Sequence, residues 1–182
     1  MLTMCRTLMG DPDLVLIAGD FVVHAKEHSE RVAGAIDIVR PFVTAKIPTF
    51  AVLGNHDYSI FDRDESSDGA LADRIAAALV EAGIVVLRNA SHAVRLADGP
   101  PLWVVGIDSN WAKRDDPFAA LSGVPPAAPR LVFMHNPSSF LKIAAGAAPF
   151  AVAATPHGGE GPTPRFPAGG RCKGDGESST TM

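Results

Sequence analysis

Cysteine is scarce in this chain. Cys5 and Cys172 stand near opposite ends of 182 residues with no CxxC spacing, which excludes a disulfide framework and a zinc ribbon. A reducing, cytoplasmic setting is the default expectation. Long hydrophobic runs are missing as well. The longest, such as Leu14 to Ala18, fall far short of the ~20 residues a membrane-spanning helix needs, and no apolar stretch with a small-residue cleavage site marks a signal peptide. Charge of one sign is also absent. Sixteen Lys and Arg against 20 Asp and Glu leave a net charge of −4, so there is no general electrostatic footprint for nucleic acid, and Arg171 with Lys173 is too small a pair to make one. No GxGxxG or GxxxxGK[ST] follows a strand candidate, which weighs against a nucleotide-binding α/β module. What remains is ordinary globular material, 47% hydrophobic and 20% charged, long enough to bury a core without metal or disulfide.

Hydrophobic patterning gives an alternation of strands and helices. Asp13–Ala18 is a short apolar run stopped by Gly19-Asp20, as expected of a strand buried on both faces. A helix follows with Ser29 as its expected cap and a stripe of Val32, Ala35, Ile36, Val39, Phe42 and Val43. Pro41 predicts a kink or early end, because its ring clashes with the Asp37 carbonyl. Thr49–Leu53 is a second strand, and a helix over 69–82 starts at Asp68 and stops at Gly83. Ile84–Leu87 is a third strand. Ser91–Leu96 and Leu102–Ile107 form an antiparallel pair across Asp98-Gly99-Pro100-Pro101. Arg130–Met134 is a strand, Ser138–Ala144 a short helix, and Phe150–Ala153 a last strand. The fold class is α/β with a mixed sheet. Residues 1–157 make one domain, and 158–182 are a Gly/Pro/Ser-rich tail with too little to bury, expected to be disordered.

Polar residues cluster just after the strand candidates: Asp20, Asn55, His135 and His157. In open α/β sheets such loops meet at one edge, where ligands bind. One carboxylate, one amide oxygen and two imidazoles suit Mn, Fe or Zn better than a soft-metal or all-oxygen calcium site. Each residue alone is weak, since Gly-Asp is commonly a turn and a strand-end histidine is commonly structural. Gly54-Asn55-His56-Asp57 is more specific, a small residue followed by a neutral donor, an imidazole and a carboxylate. His24, His28 and His92 are expected to be surface or structural, Trp103 and Trp111 core and rim, and Asp108, Asp115 and Asp116 solvated loop carboxylates.

These landmarks resemble the calcineurin-like metallophosphoesterases, in particular the small single-domain bacterial branch. The resemblance is carried by Pro12-Asp13-Leu14-Val15-Leu16 leading to Gly19-Asp20, and by Ala51-Val52-Leu53-Gly54-Asn55-His56-Asp57-Tyr58. Gly106-Ile107-Asp108, His135-Asn136-Pro137 and His157-Gly158-Gly159-Glu160 complete it. It implies a mixed-sheet β-sandwich flanked by helices in four layers, with divalent metal ions at its edge. By resemblance Asp20 bridges two metals, Asn55 and His135 bind the second, and His157 binds the first. The resemblance also implies that His56 protonates the leaving oxygen or stabilises its charge, and that Asp57 orients and electrostatically supports that imidazole. The implied reaction is hydrolysis of a phosphomonoester, phosphodiester or pyrophosphate, in a small-molecule or lipid substrate, by metal-activated water.

The sequence also departs from the family pattern. The initial Asp-x-His strand has no counterpart, so the domain is expected to lack its first strand and two ligands of the first metal. Thr155 stands where a histidine should bind the second metal, and Val23 replaces an acidic residue common after Gly-Asp. At most one well-held metal, on Asp20, Asn55 and His135, is expected. The alternative is a non-catalytic metal- or phosphate-binding remnant of the family.

Overall fold

The computed structural model describes residues 12–22, 28–62, 65–96 and 98–154. Its first half is built from two β-α-β units. Strand β1 (Val15–Ala18) leads through helix α1 (His28–Thr44) to β2 (Thr49–Val52), and from there through α2 (Gly69–Glu81) to β3 (Val85–Val86). The three strands are parallel in the order β1-β2-β3, with Val15 opposite Thr49 and Phe50 opposite Val85. The second half gives a four-stranded sheet in the order β4-β5-β6-β7. Its strands are β4 (Ala90–Val94), β5 (Leu102–Ile107), β6 (Arg130–Met134) and β7 (Ala151–Ala153), with the short helix α3 (Pro117–Leu121) between β5 and β6. The β4–β5 pair is antiparallel and the other two are parallel.

Alternation along the strands assembles these sheets into a sandwich. Phe50 and Val52 of β2 face Val104 of β5 and Phe133 of β6, with Leu16, Leu87 and Leu131 around them, forming the layer between the sheets. The intervening residues point the other way. Ile17, Ala51 and Leu53 meet Val32, Ile36, Val39 and Val43 of α1 and Leu71, Ile75 and Leu79 of α2. Val105, Ile107, Val132 and Met134 meet Ala120, Val124, Phe140 and Ile143 on the far side. Both faces of the central strands are therefore covered, which is why their sequences are continuous apolar runs. The mixed-sheet sandwich flanked by helices is the architecture observed.

Three local differences from the sequence reading have physical causes. Helix α1 runs through Pro41 to Thr44 instead of ending early. Proline removes one intrahelical bond, but Val39 and Val43 keep the last turn on the sheet, and Ala45 and Ile47 donate to the Pro41 and Phe42 carbonyls at 3.0 Å each. The expected Ser138–Ala144 helix is a 3-10 turn over Pro137–Lys142. Helix α3 was not foreseen, although Asp116-Pro117 is a cap followed by proline; Asp116 accepts from the Ala119 amide at 2.9 Å.

Candidate active site

The site lies where β1, β2 and β6 end. Gly19 adopts φ +82°, and a Cβ there would come within 2.4 Å of the Gly54 nitrogen. A Cβ on Gly54 would sit 2.1 Å from Asp20 Oδ1. At these glycines the two backbones come into direct contact, and the Asp20 carboxylate fills the space a side chain at Gly54 would need. Asp20 itself has φ +59°, a left-handed conformation that aspartate tolerates better than most residues. Its Oδ1 accepts the His56 backbone N–H at 3.1 Å.

The other oxygen is the chemically notable one. Asp20 Oδ2 is buried and receives no well-aligned hydrogen bond. It lies 3.2 Å from His135 Nε2 and 3.8 Å from His56 Nε2. His135 Nδ1 stands 2.6 Å from the Ala18 carbonyl, which only accepts, so Nδ1 carries a proton. In the neutral ring Nε2 then presents a lone pair to a carboxylate oxygen. Two lone pairs facing each other in a buried place call for a cation between them or a second proton on the ring. Burial opposes the charge on His135, but the Asp20 contact and charge, with the Ala18 carbonyl, outweigh it and raise its pKa. For Asp20 burial works upward, yet the contact with His135 and the charges of His135 and His56 outweigh it and hold the carboxyl below its usual range.

Asn55 donates its amide N–H to the Ile60 carbonyl at 2.8 Å, which fixes the amide flip and leaves the side-chain oxygen as the acceptor end. The His56 ring lies against Phe61 with centroids 4.7 Å apart. Asp57 is placed differently from the sequence expectation. Its carboxylate accepts backbone N–H groups from Gly54 at 2.8 Å and Asp20 at 3.0 Å on Oδ2, and from Phe21 at 2.8 Å and Val22 at 3.3 Å on Oδ1. It clasps the loop after β1 to the loop after β2, so it positions Asp20 and Asn55 through the backbone. Burial drives its pKa up to about 7, with the Asp20 charge adding to this and the N–H groups of Gly54, Val22 and Phe21 opposing it.

A second polar group is formed by residues to which the sequence reading gave no functional role. Tyr58, fully buried, donates to Asp108 at 2.7–2.8 Å, and Arg88 reaches Asp108 at 3.1 Å, Tyr58 at 3.0 Å and Asp73 at 2.6 Å. Burial first and the Asp108 charge next push the Tyr58 hydroxyl up. Asn136, directly after His135, accepts from Ser109 Oγ and the Asn110 amide at 3.0 Å each. The expectation of solvated carboxylates is corrected for Asp108 and Asp115, whereas Asp116 is exposed as expected. Asp108 is buried against Tyr58 and Arg88, Asp115 is buried against Lys142 and Asn110, and Asp116 caps α3. The signal for Tyr58 and Asn136 was adjacency to a motif, whereas Arg88 carried none.

Asp20, His56 and His135 thus meet at strand ends from both sheets, with Asn55 buried next to His56 in the chain, while His157, Thr155, Val23 and His24 lie outside the described residues. The buried Asp20 Oδ2 faces His135 Nε2 with no well-aligned hydrogen bond, and a carboxylate beside an imidazole is a donor pair that suits a divalent cation. Among the described residues no group of three or more His, Cys, Asp or Glu side chains is arranged to hold a metal ion. No described helix is long and apolar enough to cross a membrane.

A comparison with curated proteins finds no significant match. A sequence model described as calcineurin-like phosphoesterase matches residues 5–146, well over half the chain. That family is metal-dependent and acts on phosphate esters, in keeping with a carboxylate and two imidazoles gathered at the strand ends. The chain belongs to the calcineurin-like phosphoesterase family.

Proposed function

We propose that this protein is a metal-dependent phosphoesterase that hydrolyses a phosphomonoester, phosphodiester or pyrophosphate by direct attack of water. The observation that carries the reading is the buried Asp20 Oδ2, which has no well-aligned hydrogen bond and faces Nε2 of His135 at 3.2 Å and of His56 at 3.8 Å. Asp20, His135 and Asn55 would hold a divalent cation, Mn, Fe or Zn by donor type, and the family resemblance adds His157. When bound, such an ion supplies Lewis acidity to the phosphate oxygens and lowers the pKa of water.

The chain's own residues do the rest. The Ala18 carbonyl holds the His135 proton on Nδ1, keeping Nε2 turned to Asp20. His56 Nε2 delivers a proton to the leaving oxygen, a contribution of about 10²–10⁴ in rate. Asp57 keeps both loops in register through its four backbone bonds. Thr155 in place of a histidine gives a reduced donor set, so turnover below that of a full two-metal site is part of this reading.

A non-catalytic relative that only binds metal or phosphate is the second reading. It is favoured by Thr155 standing where the family pattern has a metal-binding histidine. Manganese-dependent hydrolysis of bis-p-nitrophenyl phosphate and p-nitrophenyl phosphate separates the two, with His56→Ala and Asp20→Ala as controls. Metal-dependent turnover lost in both variants supports the enzyme. A folded wild-type protein with no turnover above those controls leaves the binding remnant.

A further inference from the structure

His56 is carried by a single 3-10 turn, His56–Tyr58, in the loop that follows β2. One turn does not hold itself, because fixing its backbone yields few hydrogen bonds in return. The position of His56 therefore depends on what its neighbours grip. Asp57 points into the loop after β1 and accepts the Asp20, Phe21 and Val22 amides, together with that of Gly54. The Tyr58 carbonyl takes the Asp68 N–H at 2.8 Å, which ties the turn to the start of α2. These contacts stay within the first half of the chain. The Tyr58 hydroxyl instead crosses to the other sheet, donating at 2.7–2.8 Å to the carboxylate of Asp108, just after β5.

Asp108 is itself held from several sides. Its Oδ1 accepts the Ser109 N–H at 2.8 Å, its Oδ2 accepts from Arg88 Nε at 3.1 Å, and its own N–H donates to Asn89 Oδ1 at 3.0 Å. Arg88 also donates to the Tyr58 oxygen at 3.0 Å, so the hydroxyl accepts from the guanidinium while it donates to the carboxylate. Ser109 Oγ donates to Asn136 Oδ1 at 3.0 Å, and Asn136 follows His135 in the chain. The buried residues Tyr58, Asp108, Ser109 and Asn136 thus form a line of contacts from the turn that carries His56 to the residue after His135. Asp20 closes the circuit on the other side: its Oδ1 accepts the His56 N–H at 3.1 Å and its Oδ2 faces His135 Nε2 at 3.2 Å. Stability alone is a poor reason for such an arrangement, since an apolar filling of the same volume is often as stable as a buried charged network. What the network adds is a fixed geometry between the two loops that bear the imidazoles.

We propose that Tyr58 is a positioning residue: through its bond to Asp108 it holds the His56 turn against Asp20 and keeps the imidazole beside that carboxylate. The proposal rests on the phosphoesterase reading for what His56 does there, but the restraint it describes needs neither metal nor turnover.

The test is amide hydrogen exchange on the full chain treated with EDTA. Tyr58→Phe keeps the ring and removes the hydroxyl. The His56 N–H, bonded to Asp20 Oδ1, reports each departure of the turn from Asp20, whereas the Phe21 and Gly54 amides report the Asp57 clasp. The expected result is exchange at His56 accelerated about 10-fold beyond any change at Phe21 and Gly54, the size of one hydrogen bond to a charged group. A loss of global stability would speed these amides alike. Asp108→Asn leaves a neutral acceptor for the hydroxyl and should show the same selectivity at about 3-fold, since a neutral hydrogen bond has roughly half the strength; it serves where Tyr58→Phe does not fold. With manganese present, Tyr58→Phe should lower kcat at least about 3-fold more for phenyl phosphate than for p-nitrophenyl phosphate, at unchanged KM, because phenol is the weaker acid and needs the proton from His56. In a His56→Ala background it should leave that ratio unchanged. His56 exchange that speeds no more than Phe21 and Gly54 in a folded variant, or equal losses on both substrates, overturns the proposal. Selective exchange in a protein that hydrolyses neither substrate supports the positioning and removes the phosphoesterase reading. Hydrolysis without selective exchange does the reverse.

Discussion

Asp57 should make the metal-free protein less stable as pH rises toward neutrality. Its carboxyl is buried and its pKa lies at about 7, against an ordinary 3.8. Between those values the folded chain keeps a proton on Asp57 that the unfolded chain has lost, so stability falls with pH at up to about 1.4 kcal/mol per unit. The contribution is fully present below 3.8 and gone above about 7, a total of about 4 kcal/mol at most. His135 acts in the same direction from 6.5 upward, because its pKa is raised and its charge-linked stability is lost as the ring deprotonates. Asp20 acts oppositely but only below 3.8, its pKa being lowered. Asp57→Asn carries no titrating proton and should flatten the curve between pH 4 and 7. Its amide offers one acceptor oxygen to N–H groups that meet two in the carboxyl, costing about 1–3 kcal/mol at pH 5. Asp57→Ala strands the three closer donors, Gly54, Phe21 and Asp20, at about 3–6 kcal/mol, a large share of the ~5–15 kcal/mol a domain has. The assay is urea unfolding of EDTA-treated protein at intervals from pH 5 to 8. A wild-type stability that rises from pH 5 to 7, or a slope retained in Asp57→Asn, would refute the reasoning.

Other expectations follow from neighbouring contacts. Gly54→Ala drives a methyl into Asp20 Oδ1 at 2.1 Å and should cost about 1–3 kcal/mol and abolish manganese binding measured by calorimetry; unchanged binding would show that Asp20 is not a ligand. Manganese affinity should tighten from pH 6 to 8 as Nε2 of His135 loses its proton, and calorimetry on His135→Ala should find both the affinity and that pH dependence lost. Tyr58→Phe removes the bond to buried Asp108 and should lower stability by about 1–3 kcal/mol, read by urea midpoint; a neutral result would mean that Arg88 and the Ser109 N–H already satisfy the carboxylate.

The strands and the site were legible in the sequence for one reason. Runs such as Thr49–Val52 and Arg130–Met134 are apolar on both faces because both faces are covered, and each ends abruptly at a polar residue. Asp20, Asn55 and His135 were singled out because strand ends are where such sheets bind ligands, and the structure puts Asp20 and His135 3.2 Å apart at such ends. What stayed hidden depends on partners far along the chain. Nothing local says that Asp57 clasps the Phe21 and Val22 amides, 36 and 35 residues away, nor that Asp108 is buried by Tyr58 and Arg88. A carboxylate beside a loop looks solvated until its donors are known. Pro41 misled because helix rules are local, whereas α1 is held by the sheet beneath it.

The contact between His135 and the Ala18 carbonyl spans 117 positions in the chain and joins the ends of strands from different sheets. No part of the Asp20–His135 pair exists in either half alone. The proposed cation site would therefore be a product of sheet docking, a long-range event that comes late and slowly when loop closure dominates the folding barrier. A cation that binds only the docked state drains the undocked population by mass action, by about 2.7 kcal/mol at a hundredfold excess over Kd. Adding metal should consequently slow the separation of the two sheets far more than it speeds their meeting, so the site doubles as the latch of the fold.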